Sequence, residues 1–297
     1  MVSMNRRQFL QLALALSASS GLSPLCSLAA GAPAPRWVVL DWGLTEMALA
    51  LGVVPVGVAA PQWYRRLYSA PALPADVADV GLLFQPNFET LRELRPTLLL
   101  VTPGHLMAKA QLEQIAPLLV LNTYSSSPLE QAQANLRQMA GALGQPERAE
   151  QIIATVNARM EKARLAVQPY TDTPLYLAHP LEILHLYLFG KGSLFDDVLT
   201  RLGLKNASQL ATSAQGLAMT SVDQLAAGGR GRVVLLPSYP QPDISDITGS
   251  ALWRSLPLLQ PENCITLPDG LPQNGALITA VRFAESLALG LQRRGRA

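Results

Sequence analysis

Short apolar runs alternate with longer amphipathic stretches through most of the chain. Trp37-Val38-Val39-Leu40 is an unbroken apolar run with two β-branched residues, which predicts a buried strand. Leu44, Met47, Ala48 and Leu51 then recur at helical spacing, and Gly52 stops them. Residues 55–59 predict the next strand, with Pro55 at its start, where a missing N–H is tolerated. Asn87 can cap a short helix through Leu94, closed before Pro96. Residues 98–101 and 118–121 are further strand-like runs with a helical stretch, 108–115, between them. Residues 129–143 form an amphipathic helix with Leu136, Met139, Ala140 and Leu143 on one side. Continuous apolar strands interleaved with helices predict a mostly parallel sheet covered on both faces.

Pro146 opens the longest helical pattern. Ala149, Ile152, Ile153, Val156, Met160 and Ala163 recur at spacings of three and four, charged residues fill the rest, and Pro169 lies beyond the end. At 1.5 Å per residue, about 22 residues make a rod of roughly 33 Å. A second α/β series follows. Residues 175–178, 186–189, 233–236 and 264–267 read as strands. Ser193 caps a helix that ends at Gly203, and residues 250–256 and 276–289 read as helices. The expected organisation is an export signal (1–30), a first α/β lobe (31–145), a bridging helix (146–168) and a second α/β lobe (169–297). A ligand cleft between the lobes follows, because small-molecule sites favour domain interfaces and the carboxyl ends of strands.

The opening residues read as a targeting device. Arg6-Arg7 precede Phe9-Leu10, a short apolar stretch runs from Leu12 to Ala18, and small residues stand near Ala29-Ala30. This is the pattern of a cleaved signal of the twin-arginine type, too short to span a bilayer. Cys26 follows a bulky leucine, which argues against lipoprotein processing. Cys264 is then the sole cysteine remaining after cleavage, so no intramolecular disulfide is expected. Net charge is +2 on 23 basic and 21 acidic residues, too balanced for a nucleic-acid footprint.

The motifs of common enzymes are missing from the sequence: GxSxG, GxxxxGK[ST], HExxH, CxxC and GxGxxG do not occur. Three histidines, His105, His179 and His185, are too spread to suggest a metal site, so no catalytic residue and no direct metal ligand is assigned. Aromatics are more informative. Trp42 follows the first strand, Trp63, Tyr64 and Tyr68 cluster in a proline-rich loop from Pro61 to Pro74, and Phe84 follows Gly81-Leu82-Leu83. Rings on such loops can stack on a ligand. Trp253 is expected to pack its own lobe.

At these loops the chain resembles the periplasmic ferric hydroxamate-binding proteins, the ferrichrome binders of iron–siderophore ABC uptake systems. The matching stretches include Trp42-x3-Glu46-x2-Leu49-Ala50-Leu51-Gly52, Leu73-Pro74-x4-Asp79-Val80-Gly81-Leu82 and Pro86-Asn87-x-Glu89-x-Leu91. Further on come Ile115-Ala116-Pro117, Phe189-Gly190-x2-Ser193-Leu194-Phe195, Ser221-Val222-Asp223-x-Leu225-Ala226 and Leu252-Trp253-x2-Leu256-Pro257. Their order along the chain carries the resemblance. It implies two α/β lobes on one long helix (the class III, helical-backbone type of periplasmic binding protein) with little closure on binding.

The resemblance implies a first wall of Trp42, Tyr64, Tyr68, Phe84 and His105, and a second of His185, Gln215 and Asn274. It also places Leu83 where the family carries an arginine and His105 where it carries a tyrosine; the tryptophans expected near Gln215 and Pro272 are missing. Asp223 matches an acid that meets arginines of the permease, with Glu113 as a substitute on the first lobe. The expected function is capture of a ferric siderophore, hydroxamate-type, in the periplasm and delivery to an inner-membrane ABC permease, by a monomer exported through the twin-arginine translocase. Iron arrives as an iron(III)–siderophore complex, so no cofactor is expected. Alternatives are a binder of cobalamin, haem or another iron chelate on the same fold, or an interaction protein with a degenerate pocket.

Overall fold

The computed structural model describes residues 35–227, 229–237, 244–268 and 270–295, so the export signal falls outside the described residues. The first lobe begins with β1 (Trp37–Val39), α1 (Trp42–Ala50), β2 (Gly57–Val58), α2 (Pro61–Leu67), β3 (Ala78–Asp79), β4 (Gly81–Leu82) and β5 (Gln85–Pro86). It continues through α3 (Phe88–Glu93), β6 (Leu98–Val101), a 3-10 segment Pro103–Ala108, α4 (Lys109–Glu113), β7 (Leu118–Val120) and α5 (Pro128–Ala142). Five of these strands form a parallel sheet in the order β3-β2-β1-β6-β7. Asp41 and Asn87 cap α1 and α3 by accepting from N–H groups of the first turn, which is why those helices begin there.

The bridging helix α6 spans Pro146–Val167 without a break and buries Ala149, Ile153, Val156, Met160, Ala163 and Val167. The second lobe follows with β8 (Leu175–Pro180), β9 (His185–Phe189), α7 (Leu194–Leu202), β10 (Leu217–Ser221), α8 (Val222–Ala227) and β11 (Arg232–Leu235). It ends with α9 (Ile244–Thr248), α10 (Ala251–Ser255), β12 (Cys264–Thr266) and α11 (Leu277–Gly295). Ser193 caps α7, and Gly203 closes it in the left-handed region at φ 74°, which a side chain would resist. Helix α6 packs along α11, α5 and α7, so its apolar stripe belongs to one core that draws residues from both lobes.

The second sheet, β10-β9-β8-β11-β12, is mixed rather than parallel. Only four residues, 181–184, join β8 to β9, too few for a crossover, so the two pair as a hairpin, and β10 adds antiparallel to β9. Several short elements carry no expectation from the sequence, among them β3, β4, β5, α8, α9 and β10. Strand β10 alternates a buried Ala218 and Thr220 with an exposed Met219, too weak an apolar signal to stand out. Residues 61–67, expected as loop, are helical, with Pro61 in the first turn. Trp253 is fully buried, and its indole N–H donates to the Ile183 carbonyl at 2.9 Å. No helix among the described residues is long and apolar enough to cross a membrane.

Candidate functional site: the interlobe cleft

Each sheet reverses its strand order at one place. In the first, β1 is followed outward by β2 and β3 on one side and flanked by β6 on the other; in the second, β8 and β11 hold the same relation. The crevice beyond the carboxyl ends of such strand pairs is where open α/β sheets bind ligands. Asp41 and Trp42 follow β1, His179 stands near the end of β8, and Leu236 follows β11. All four line a cleft between the lobes.

The cleft has two chambers that share Gln273 and Asn274 in their walls. One is aromatic and apolar, walled by Trp42, Tyr187, Phe189, Leu236 and Leu271, with an empty volume of about 680 Å³ including its open mouth. The other is polar, with about 600 Å³ measured the same way, and is walled by Asp41, Tyr124, Gln131, Asn135 and Gln215 among others. The Trp42 indole N–H donates to the Ala59 carbonyl at 2.9 Å, which fixes the ring in the wall. Across the polar chamber, the Tyr124 hydroxyl of the first lobe is hydrogen-bonded to the Gln215 side chain of the second.

Trp42, Gln215 and Asn274 therefore stand on the cleft walls, and five other expected ligand residues do not. Tyr64 is fully buried, donates its hydroxyl to the Pro71 carbonyl at 3.0 Å, and stacks on Tyr68 with ring centroids 4.3 Å apart. Tyr68 is buried too, and its hydroxyl donates to the Asn274 carbonyl of the other lobe at 2.7 Å. Because residues 61–67 are helical, the two rings turn inward, so the expectation that they face a ligand is corrected. Burial raises the pKa of both phenols.

His105 is corrected in the same way. It is 5% exposed, its Nδ1 lies 3.0 Å from the Thr102 hydroxyl, and its Nε2 contacts the Leu83 carbonyl. Both ring nitrogens serve the first lobe's own backbone and side chains, leaving neither for a ligand. Phe84 is exposed beside the His105 ring at 5.3 Å and lines neither chamber. His185 is an exposed partner of Glu182 on the outer surface, again off the chamber walls. Asp223, exposed and with its pKa lowered chiefly by the Ser221 side chain, sits near His185; Glu113 is exposed and paired with Lys109 at 3.6 Å.

Tyr187, Asp41 and Tyr124 line the chambers without having been expected from the sequence. The alternation in β9 was the available signal for Tyr187, which shares a face with Phe189. His179 was seen but not placed; its Nδ1 meets the Leu236 carbonyl at 3.0 Å and burial lowers its pKa, so it stands neutral in the wall. Among the described residues, no group of three or more His, Cys, Asp or Glu comes together to hold a metal ion.

The lobes are stitched beneath the cleft by one buried carboxylate. Glu46, on α1, accepts from the backbone N–H groups of Ala276, Ile278 and Thr279 at 3.1, 2.7 and 3.1 Å and from the Thr279 hydroxyl. Those donors are the unsatisfied start of α11, so a first-lobe side chain caps a second-lobe helix. Desolvation raises the Glu46 pKa, and the four donors pull it partly back. A Cβ on Gly43 would come within 2.8 Å of the Asn274 carbonyl oxygen, so the close approach of the lobes requires glycine there. Arg148 adds a bond to the Leu51 carbonyl at 2.7 Å, and Arg159 pairs bidentately with Glu285 on α11.

This architecture recurs in known proteins. The iron(3+)-hydroxamate-binding protein FhuD of Escherichia coli is 31% identical over 253 residues, 85% of either chain. The vitamin B12-binding protein of Salmonella typhimurium is 28% identical over 174 residues, 58% of this chain and 62% of that one. The crystal structure of the siderophore-binding protein FhuD from Vibrio cholerae with Fe3+–Desferal superposes with a TM-score of 0.81 at 24% identity, covering 88% of this chain and 99% of that one. The sequence profile of the periplasmic binding protein family matches residues 38–269, and with two α/β lobes on one long helix the chain belongs to that family.

Proposed function

We propose that this protein captures a ferric siderophore of the hydroxamate type in the periplasm and hands it to an inner-membrane ABC permease, acting as a binding protein and not as an enzyme. The observation that carries the reading is the cleft itself, in which both sheet reversals meet an aromatic chamber and a polar one. The likeness to the hydroxamate binder of E. coli over 85% of the chain supports the choice of cargo. Trp42, Tyr187 and Phe189 supply flat apolar surface for a chelate's periphery, while Gln215, Asn274, Gln273 and Tyr124 supply neutral hydrogen-bonding groups. Iron is cargo, wrapped by its chelator. Export through the twin-arginine translocase, a monomeric state, and docking through Asp223 and Glu113 belong to the same reading.

The test is tryptophan fluorescence. Trp37 and Trp253 are buried away from solvent, whereas Trp42 stands in the cleft wall. Titration with ferrioxamine, ferrichrome, coprogen and aerobactin is expected to quench emission saturably for at least one chelate, and Trp42→Phe to remove most of that signal. No quenching by any of the four at micromolar protein overturns the hydroxamate reading, and saturable binding of cyanocobalamin in their place supports a vitamin carrier.

A further inference from the structure

Helix N-termini are where an open cleft would seize an anion, since their first N–H groups lack intrahelical partners and carry the positive end of the dipole. Four helices bring their starts to the polar chamber, through Gly43 of α1, Pro128 of α5, Leu194 of α7 and Ala276 before α11. Each start is already occupied from within the chain. Asp41 accepts from the Leu44 N–H at 2.9 Å, Asp197 from the Leu129 N–H at 2.8 Å, and Ser193 from the Asp196 N–H at 3.1 Å. Glu46 holds the first turn of α11. Three of the four caps are carboxylates, so the dipole ends that would attract an anionic ligand are neutralised.

No countervailing cation stands in either wall among the described residues. Lysine and arginine are absent from the described lining of both chambers. Lys191, between the lining residues Phe189 and Gly192, is exposed and outside both walls. Leu83, partly buried, packs on the first-lobe core and leaves that loop uncharged. The ionisable groups that do line the chambers are Asp41, Tyr124, Tyr187 and His179, of which Asp41 is the one carboxylic acid. Burial raises the Asp41 pKa, and the backbone N–H groups of Leu44 and Gly43 act in the opposite direction.

We infer that the cleft sorts ferric chelates by net charge, accepting neutral and cationic ones and refusing anionic ones, with Asp41 as the specificity-determining residue that favours a cation. This rests on the ferric-siderophore reading and narrows its ligand class. A ferric trihydroxamate bearing a free ammonium arm fits; citrate-type and triscatecholate complexes, which carry excess negative charge, do not.

The experiment compares ferrioxamine B, which carries an ammonium group, with its N-acetylated neutral form and with ferric citrate and a ferric triscatecholate, by tryptophan quenching on the mature chain. The cation is expected to bind on the order of tenfold tighter than the acetylated form, the effect of unit charges about 10 Å apart at an effective dielectric near 20. Both anionic chelates are expected to be weaker than the neutral one. Asn ranks with Asp as a helix cap, so Asp41→Asn is expected to fold, and its unfolding transition verifies this. In that variant the cation-to-neutral affinity ratio falls towards one, whereas Lys191→Ala leaves the ratio unchanged. A ratio that survives Asp41→Asn, or an anionic chelate bound as tightly as the neutral one, overturns the inference while leaving the siderophore reading intact. Failure of every chelate to bind removes the siderophore reading and charge sorting together.

Discussion

Replacing Glu46 with alanine tests whether one side chain fixes the angle between the lobes. The substitution strands the N–H groups of Ala276, Ile278 and Thr279, of which Ala276 and Thr279 are buried, and it leaves a void where four bonds converged. An unsatisfied buried donor costs about 1–3 kcal/mol. Relief from burying a charge offsets part of the total, so the net loss is about 3–5 kcal/mol, typical of removing one partner from a buried ionic contact. For a chain of this size that lowers Tm by roughly 6–20 °C. Thr279→Val removes a single donor and is expected to cost about 1 kcal/mol alone. In the Glu46→Ala background it should cost almost nothing, because its partner is gone. Urea unfolding of the four proteins measures this cycle, and spin labels on the two lobes report whether their separation broadens. A Glu46→Ala loss below about 1 kcal/mol, or strict additivity with Thr279→Val, would refute the staple.

Four further outcomes follow. Glu46 titrates above its ordinary value when folded, so between that value and the raised one the native state holds a proton the unfolded chain has released. Its contribution to stability therefore falls as pH rises through that window, and the stability gap between wild type and Glu46→Gln, followed by urea unfolding, is expected to narrow towards higher pH; a widening gap contradicts the assignment. Tyr68→Phe removes the hydroxyl bond to Asn274 and should cost about 1 kcal/mol with chelate binding retained; loss of binding without loss of stability would return Tyr68 to the ligand. Met160→Ala, on the buried stripe of α6, should destabilise by about 2–5 kcal/mol by calorimetry, and a neutral result would show that the bridging helix is not packed as described. Asp223→Asn should weaken capture by permease-containing vesicles while leaving the quenching titration unchanged, and equal capture removes it from the docking surface.

Much of the fold was legible because its signals are local. The α6 stripe repeats six buried residues over 22 positions with proline in the first turn, and the caps Asn87 and Ser193 sit directly ahead of helices. What escaped were elements whose identity depends on a neighbour. Strand β10 exists because β9 offers an unpaired edge, and its own sequence, Leu-Ala-Met-Thr-Ser, is indifferent to the choice. Residues 61–67 were masked by flanking prolines that read as loop, although Pro61 belongs in the first turn of a helix.

The site was harder to read because sequence distinguishes residue types but not the direction in which a side chain turns. Tyr64 and Trp42 are aromatic, close in sequence and follow successive strands; one is sealed against Pro71 and the other stands in the wall. Histidine misled for a related reason. His105 has the polarity of a ligand residue, yet Thr102 and Leu83 use both of its nitrogens, while His179, six residues from the more conspicuous His185, lines the chamber. Glu46 shows the opposite case. As an acid on the buried face of a first helix it carried no chemical motif, and only the position of a helix start 230 residues away explains why a charge is tolerated there. Residues that hold the lobes together are chosen by partners distant in sequence, and those that meet a ligand are chosen by what the lobes leave open. The cleft therefore follows from the staple beneath it, and loosening Glu46 should alter chelate affinity even though that side chain itself lines neither chamber.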